Sequence, residues 1–563
     1  MSSWKEINQN LIAKALGEMI FEENISVSQE GELYSFKASE DVTYTFEGKP
    51  SLWGWIKVLP HTILRNGERK VSASQFFIDT QKFTKMSDIT LAQFIEEMRS
   101  TLFADLHLNH EVSADEFIHL DFVESQQLLN GHPKILLNKG RLGWSTEDWK
   151  SYAPENSPVF PLKLIAIKKE LIKGVLPGED EYLSLVTKEK LEVIEKSLDI
   201  TQYVLMPIHP WQWVNVICYQ YQNEIQEQDI IDLGSTSFHY TPQTSLRTFN
   251  CIERPDAHEI KLPLSILNTS CIRGLPAKTI ELGVKISTSL AKLIDDDEFL
   301  QNKVEVLAEV AGINYVAKDL AQIKEAPYRF HEFLGVIWRE STFGKINSDQ
   351  NENIILTANL LFQDKRQQSA MASYIKASGL SAEEWIREYA KKVIIPLYHL
   401  QSQHGVGLVA HGQNIILILK NNRPYKLVLK DFQGDFRLSS KLNPHTKEIF
   451  RDIYQDIVQL PPEHLIHDLY TAHFVTLLRY VGMNLELEGV VNERAFYQFI
   501  AEEIKSYEQN YPCELSLLKP QFEKILVNSV RFKIGYGDSA QRPLPLLGTL
   551  ISNPLHQAYY ESL

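Results

Sequence analysis

Residues 410–434 read Ala410-His-Gly-Gln-Asn-Ile-Ile-Leu-Ile-Leu-Lys-Asn-Asn-Arg-Pro-Tyr-Lys-Leu-Val-Leu-Lys-Asp-Phe-Gln-Gly434, and the rest of the chain is best understood outward from them. Two apolar β-type runs, Asn414–Leu419 and Tyr425–Leu429, are joined by Lys420-Asn-Asn-Arg-Pro424, which predicts a hairpin. A helical pattern precedes it over 381–403, opened by the capping box Ser381-Ala-Glu-Glu384 and expected to kink or split at Pro396. The chain after the hairpin reads as mainly helical, with a Pro-rich end near 543–554. Further upstream, 279–298 is another helix, and 132–273 reads as strands and loops. At the start, Trp4, Ile7, Leu11, Leu16 and Ile20 recur at helical spacing, residues 31–80 alternate as short strands, and helices follow over Leu91–Leu106 and from Ser113 to Leu129, where Asn130-Gly131 stops the last one.

The same stretch carries chemistry. Histidine and asparagine (His411, Asn414) before a hairpin, then Asp431-Phe432 after it, imitate the catalytic-loop and metal-aspartate layout of kinases. In that geometry Asn414 and Asp431 hold Mg²⁺ beside a nucleotide's phosphates. One element is missing. Phosphoryl transfer to an alcohol needs an aspartate base, and Gln413 stands in the comparable place. An amide accepts no proton, so the site is read as binding nucleotide and metal without moving the γ-phosphate to a hydroxyl.

Three clusters lie upstream. Gly131-His-Pro-Lys-Ile-Leu-Leu-Asn-Lys139-Gly-Arg141-Leu-Gly-Trp-Ser145 puts a histidine at a turn ahead of two cations, suited to phosphate or carboxylate oxygens; a turn and a solvated basic strand are the plainer alternative. Met206-Pro-Ile-His-Pro-Trp-Gln-Trp213 fixes His209 between prolines under aromatic cover and reads as a structural histidine. Thr244-Ser-Leu-Arg-Thr248 is followed by Lys261 and by Thr269-Ser-Cys-Ile-Arg273. If Ser245 and Arg247 share a strand they face one side of a sheet, where Lys261, Thr269 and Arg273 join them in an anion pocket. Cross-strand ion pairs on a surface sheet are the alternative.

Composition narrows the field. The chain has 563 residues and a formal charge of -15, which argues against coating nucleic acid or anionic membranes but leaves a local basic pocket open. With 26 Phe, 23 Tyr and 9 Trp it must bury large cores, so disorder is excluded as the main state. Cys218, Cys251, Cys271 and Cys513 form no C-x-x-C pair, which fits reduced thiols rather than zinc or disulfides. The uncharged run 200–223 contains Pro207 and Pro210 and is rejected as a membrane helix, and the N-terminal residues lack a signal pattern. The expectation is a soluble, cytoplasmic protein. Motifs of P-loop NTPases, Rossmann dehydrogenases, zinc proteases and α/β-hydrolases are absent from the sequence.

Taken in order, these clusters resemble the NRPS-independent siderophore synthetases of the aerobactin-synthetase-like IucA/IucC family. The resemblance is carried by Gly131-His-Pro with Asn138-Lys-Gly-Arg-Leu-Gly143, His209-Pro-Trp-Gln212, Ser245-Leu-Arg-Thr248, Leu264–Arg273, Val336-Ile-Trp-Arg-Glu340, Ala410–Asn414 and Lys430-Asp-Phe432. It implies an α+β fold shaped as a cupped hand, with thumb (1–128), fingers (129–355) and palm (356–563), and a homodimer. It also implies an enzyme that uses ATP and Mg²⁺ to adenylate a carboxylic acid. The acid would be citrate, a citrate monoamide or a hydroxamate-bearing dicarboxylate. The product then forms by condensation with an amine or hydroxyl nucleophile, releasing AMP and pyrophosphate. On that resemblance His132, Lys139, Ser245, Arg247, Thr248, Lys261 and Asn414 contact ATP, and Arg273, His411 and Gln413 contact the carboxylate and adenylate. Asp431 and Asn414 form the metal end. Val409 stands where many members carry Glu, so one expected carboxylate is missing. A kinase-like small-molecule phosphotransferase and a non-catalytic polycarboxylate-binding protein are the alternatives.

Overall fold

A computed structural model describes residues 3–108, 111–269, 271–535 and 546–561. Ser270 of the 269–273 cluster and residues 543–545 of the Pro-rich end lie outside the described residues. Antiparallel sheets and helices occupy largely separate blocks, a mixed α and β architecture. The predicted hairpin forms: Ile415–Lys420 pairs antiparallel with Arg423–Leu429. Its turn is Asn421-Asn422, with φ of 52° and 61°, left-handed values that asparagine tolerates. Pro424 sits at a shift of register, where a missing N–H is accommodated. The hairpin is the centre of a four-stranded sheet completed by Glu352–Leu356 on one side and by Val304–Val306, running parallel, on the other.

The second large element is an eight-stranded antiparallel sheet. Its strand order is Lys173–Val175, Glu309–Tyr315, Leu334–Arg339, Glu259–Lys261, Thr248–Cys251, Ile230–Pro242, Phe160–Lys168 and Tyr203–Ile208. Strands distant in sequence thus become neighbours. Ser245 and Arg247 are not on a strand, against the reading above: with Leu246 (φ 53°) they form the tight turn between Ile230–Pro242 and Thr248–Cys251. Thr248 opens the return strand directly opposite Lys261.

Helix ends follow the caps. Ser3 and Ser381 each close a capping box, on Trp4–Phe21 and on Ala382–Tyr389. The latter runs through a wider π-type turn at Ala390–Ile394 into Ile395–His404, so Pro396 falls where its missing N–H needs no partner. Elsewhere the sequence reading was too simple. Residues 73–84 are helical, and the helix expected from Ser113 to Leu129 is two, Ala114–Phe117 and Phe122–Gln127, because Asp121 caps a fresh start. The 132–273 region also holds helices, including Thr146–Tyr152 and Lys188–Ser197.

The buried residues form three large cores. One gathers Ile7 to Leu102 with Leu136, Leu137 and Phe532. The second lies within residues 162–338, on the eight-stranded sheet. The third is mostly C-terminal but takes in Phe21, Trp53, Trp55 and the far half of helix Ala277–Asp296. The 131–141 segment thus anchors Leu136 and Leu137 in the first core, and just beyond it Leu142 bridges to Leu267. Among the described residues no helix is long and apolar enough to cross a membrane.

Candidate active site

The loop before the hairpin is built by its own backbone. Asn414 N–H donates to the His411 carbonyl at 2.9 Å, and Gln413 N–H donates to His411 Nδ1 at 3.2 Å. Gly412 presses on Ala358: its carbonyl accepts the Ala358 N–H at 2.9 Å, and a Cβ at 412 would stand 3.0 Å from the Ala358 backbone. A side chain there would have to push the Ala358 backbone aside. Below, His473 Nδ1 donates to the Ala410 carbonyl at 2.9 Å, which leaves Nε2 to accept from Tyr389 at 2.9 Å; burial holds this ring's pKa at about 4. Asn414 Nδ2 donates to Asp435 Oδ2 at 3.0 Å and to the Val409 carbonyl at 3.2 Å.

Asp431, just past the hairpin, takes a left-handed φ of 62°. That aims its carboxylate at three cations: Lys261 at 2.9 Å, Arg339 at 3.0 Å and Lys430 at 3.7 Å. Burial would raise its pKa, but Lys261, Arg339 and Lys430 overcome it and hold Asp431 well below the ordinary carboxylate range. Arg339 is completely framed. It pairs across the sheet with Glu309 on one side and Glu259 on the other, and its guanidinium also binds the Glu259 carboxylate, which Thr342 caps. Burial and the Arg339 charge lower Lys430 to about 8. Glu309 is the odd member: burial lifts it to about 7, Oε2 accepts from Gln433 at 3.3 Å, and among the described residues buried Oε1 has no hydrogen-bond partner.

The upstream clusters converge on this centre unevenly. The His132 ring lies 6.4 Å from that of His411, at 69°. His132 Nδ1 accepts the N–H groups of Lys134 and Ile135, both at 3.2 Å. Burial, and then the charges of His411, Lys14, Lys134 and Arg479, keep it neutral with a pKa far below the usual value. Burial also lowers His411, though Asp435 and Asp431 pull the other way. Ser245 Oγ accepts the Thr248 N–H at 3.2 Å, and the Arg247 guanidinium donates to the Gly274 carbonyl. Arg273 ends strand Cys271–Arg273, and among the described residues nothing hydrogen-bonds its guanidinium.

Lys139 and Arg141 depart from expectation. Lys139 is buried against Asp105 at 2.6 Å, and Arg141 forms a two-point pair with buried Glu155. Each of these two cations is paired with a carboxylate of the fold. The loop and the Thr244–Leu246 turn enclose between them a polar cavity of only about 30 Å³. His209 is buried, its Nδ1 accepting the Trp211 N–H at 3.0 Å within an aromatic box of Tyr152, Phe160 and Phe249, while among the described residues its Nε2 has no hydrogen-bond partner.

Sequence reading missed Arg339, Glu259, Glu309, Lys430 and Asp435 as members of the centre. The available signal was charge inside apolar strands, as in Val336-Ile-Trp-Arg339, where a buried cation must meet a partner. As donors for a hard cation, the site offers Asp431, Asp435 and the Asn414 amide oxygen, all oxygens of the type Mg²⁺ prefers. Asp297, His399 and His404 also cluster. Their separations of 2.6 and 3.0 Å are those of hydrogen bonds, and the other ring nitrogens meet Tyr507 and Thr446.

Known proteins resemble this chain along nearly its whole length. Residues 120–362 match the IucA / IucC family, and residues 383–538 match the family described as ferric iron reductase FhuF-like transporter. An aerobactin synthase of Vibrio mimicus is 34% identical across 99% of this chain and 97% of its own length. The aerobactin synthase of Escherichia coli is 34% identical across 98% of each. The structure of aerobactin synthetase IucC from a hypervirulent pathotype of Klebsiella pneumoniae superposes with a TM-score of 0.87 at 31% identity, covering 99% of this chain and 98% of that one. With full-length identity above 30%, a matching fold and the ordered motifs around His132, Arg247, His411 and Asp431, this chain belongs to the IucA/IucC family of siderophore synthetases.

Proposed function

We propose that this protein adenylates a carboxylic acid with MgATP and condenses the acyl-adenylate with an amine or hydroxyl, releasing AMP and pyrophosphate. Citrate, a citrate monoamide or a hydroxamate-bearing dicarboxylate is the acid class. The observation that carries the reading is the centre at Asp431, where Lys261, Arg339 and Lys430 crowd one carboxylate while Gln413, not a base, stands beside His411. Three cations gathered on one carboxylate suit a polyphosphate and a polycarboxylate together. A carboxylate nucleophile arrives already deprotonated, so the first step needs no base.

In this reading Ser245, Arg247, Thr248 and Lys261 hold the phosphates, with neutral His132 donating Nε2–H to a phosphate oxygen. Its Nδ1 already accepts two N–H groups, which fixes that tautomer. Arg273 and His411 bind the acid, and Gln413 orients it against the α-phosphorus. Arg339 and Lys430 stabilise the charge that grows there as pyrophosphate departs. Asp431 and Asn414, with Asp435 behind Asn414, would hold Mg²⁺, which neutralises the departing pyrophosphate. We assign thumb, fingers and palm to 1–128, 129–355 and 356–563, the kinase-like hairpin being in the palm, and a homodimer by family likeness. Product analysis tests the proposal: carboxylate-dependent release of AMP and pyrophosphate, accelerated by amine, is the expected result. ADP as the only nucleotide product would sink it.

A further inference from the structure

The loop that carries His132 is gripped from outside by helix Trp4–Phe21. Lys14 Nζ donates to the carbonyls of His132 at 3.0 Å and Ile135 at 2.6 Å. One turn on, Glu18 and Glu22 bracket Lys134 at 3.1 and 2.7 Å. Arg479 and Tyr480 both reach Glu18 Oε1, at 2.7 and 2.6 Å. From the C-terminal helix Asn528–Ile534, Asn528 accepts the Leu136 N–H at 3.2 Å and donates to the Lys134 carbonyl at 3.1 Å. The polar backbone of 132–136 is therefore held at four points from two other elements, and Glu18, Lys134 and Arg479 are no more than 1% exposed.

Burying this many charges is a poor way to gain stability, since well-packed apolar groups serve as well. What ions and directed donors add is geometry. Lys14 is the telling member. Burial lowers it to about 8, against the pull of Asp105 and Glu18. Its hydrogen bonds go to two main-chain carbonyls, one of them that of His132, whose ring lies near His411.

We infer that Lys14, seated on the Glu18–Lys134–Glu22–Arg479 network, is a positioning residue that sets the His132 ring against His411 for nucleotide binding. The inference rests on the reading that His132 contacts the phosphates. Carboxylate-dependent ATP–pyrophosphate exchange in the full chain tests it, with KM for ATP and for the acid measured separately. Lys14→Met should raise KM for ATP at least about tenfold, since small misplacements at a site have effects of that size. KM for the acid should stay within about twofold, and Lys14→Arg, which keeps the donors, should recover most of the loss. In Lys14→Met/His132→Ala the ATP effect should not exceed that of His132→Ala alone. If Lys14→Met does not fold, Asn528→Ala, which loosens the same loop, is read by the same criteria. Additive effects, or an unchanged KM for ATP in a folded variant, would overturn the inference. An unchanged KM for ATP in His132→Ala would instead overturn the underlying site reading.

Discussion

Two sets of buried cations behave in opposite ways. Lys139 and Arg141, on the 131–145 loop, each close on a carboxylate of their own, Asp105 and Glu155. Lys261 and Arg339, from two strands, and Lys430, just past the hairpin, share Asp431, and Arg339 also pairs with Glu259. On the sequence, Lys139 and Arg141 suit phosphate or carboxylate oxygens, and Arg247, Lys261 and Arg273 are candidates for an anion pocket. The structure separates one-to-one pairs from a centre where three cations converge on one carboxylate. In a chain of net charge -15, such local convergence is informative where a count of basic residues is not.

Matched substitutions sharpen the contrast. Arg339→Met and Arg141→Met each strand a buried glutamate, and each should lower stability by about 3–5 kcal/mol in denaturant titrations. Only Arg339→Met should also abolish pyrophosphate exchange; equal residual activity in the two would erase the distinction. Asp431→Asn comes next, with exchange down by roughly 100-fold or more, and a parallel loss of Mn²⁺ binding measured by electron paramagnetic resonance. A smaller effect concerns Glu309, whose folded pKa of about 7 lies above the unfolded value of 4.5. The native state then holds the extra proton, so stability is greatest below the unfolded pKa and falls as pH rises from about 4.5 through about 7. Glu309→Gln should flatten that decline in melting temperature between pH 5 and 8, and an unchanged slope would contradict the buried carboxyl. Lys139→Met is the mildest: Asp105 is part-exposed, so a loss of about 1 kcal/mol or less is expected, with KM for ATP within about twofold.

The hairpin was legible because its signals are local: apolar runs, two asparagines able to take positive φ, and His411, Asn414 and Asp431 at its mouth. The capping box at Ser381 and the aromatic cover of His209 were legible for the same reason. What could not be read was decided by distant pairing. Arg339 meets Glu259 and Glu309 only because three antiparallel strands align them, and Lys139 meets Asp105 across two elements. The turn at Ser245–Arg247 hid behind an alternation that looked like a strand, because nothing in Leu246 announces its positive φ. Lys14 lay in a helix whose periodicity spoke only of packing.

The central claim is that the chemistry sits where Lys261, Arg339 and Lys430 converge on Asp431. ATP–pyrophosphate exchange in the presence of citrate and related acids, run side by side on wild type, Asp431→Asn and Lys139→Met, tests it most directly. The account predicts acid-dependent exchange in wild type and Lys139→Met and its collapse in folded Asp431→Asn. Exchange that survives in Asp431→Asn, or is lost instead in folded Lys139→Met, would contradict it.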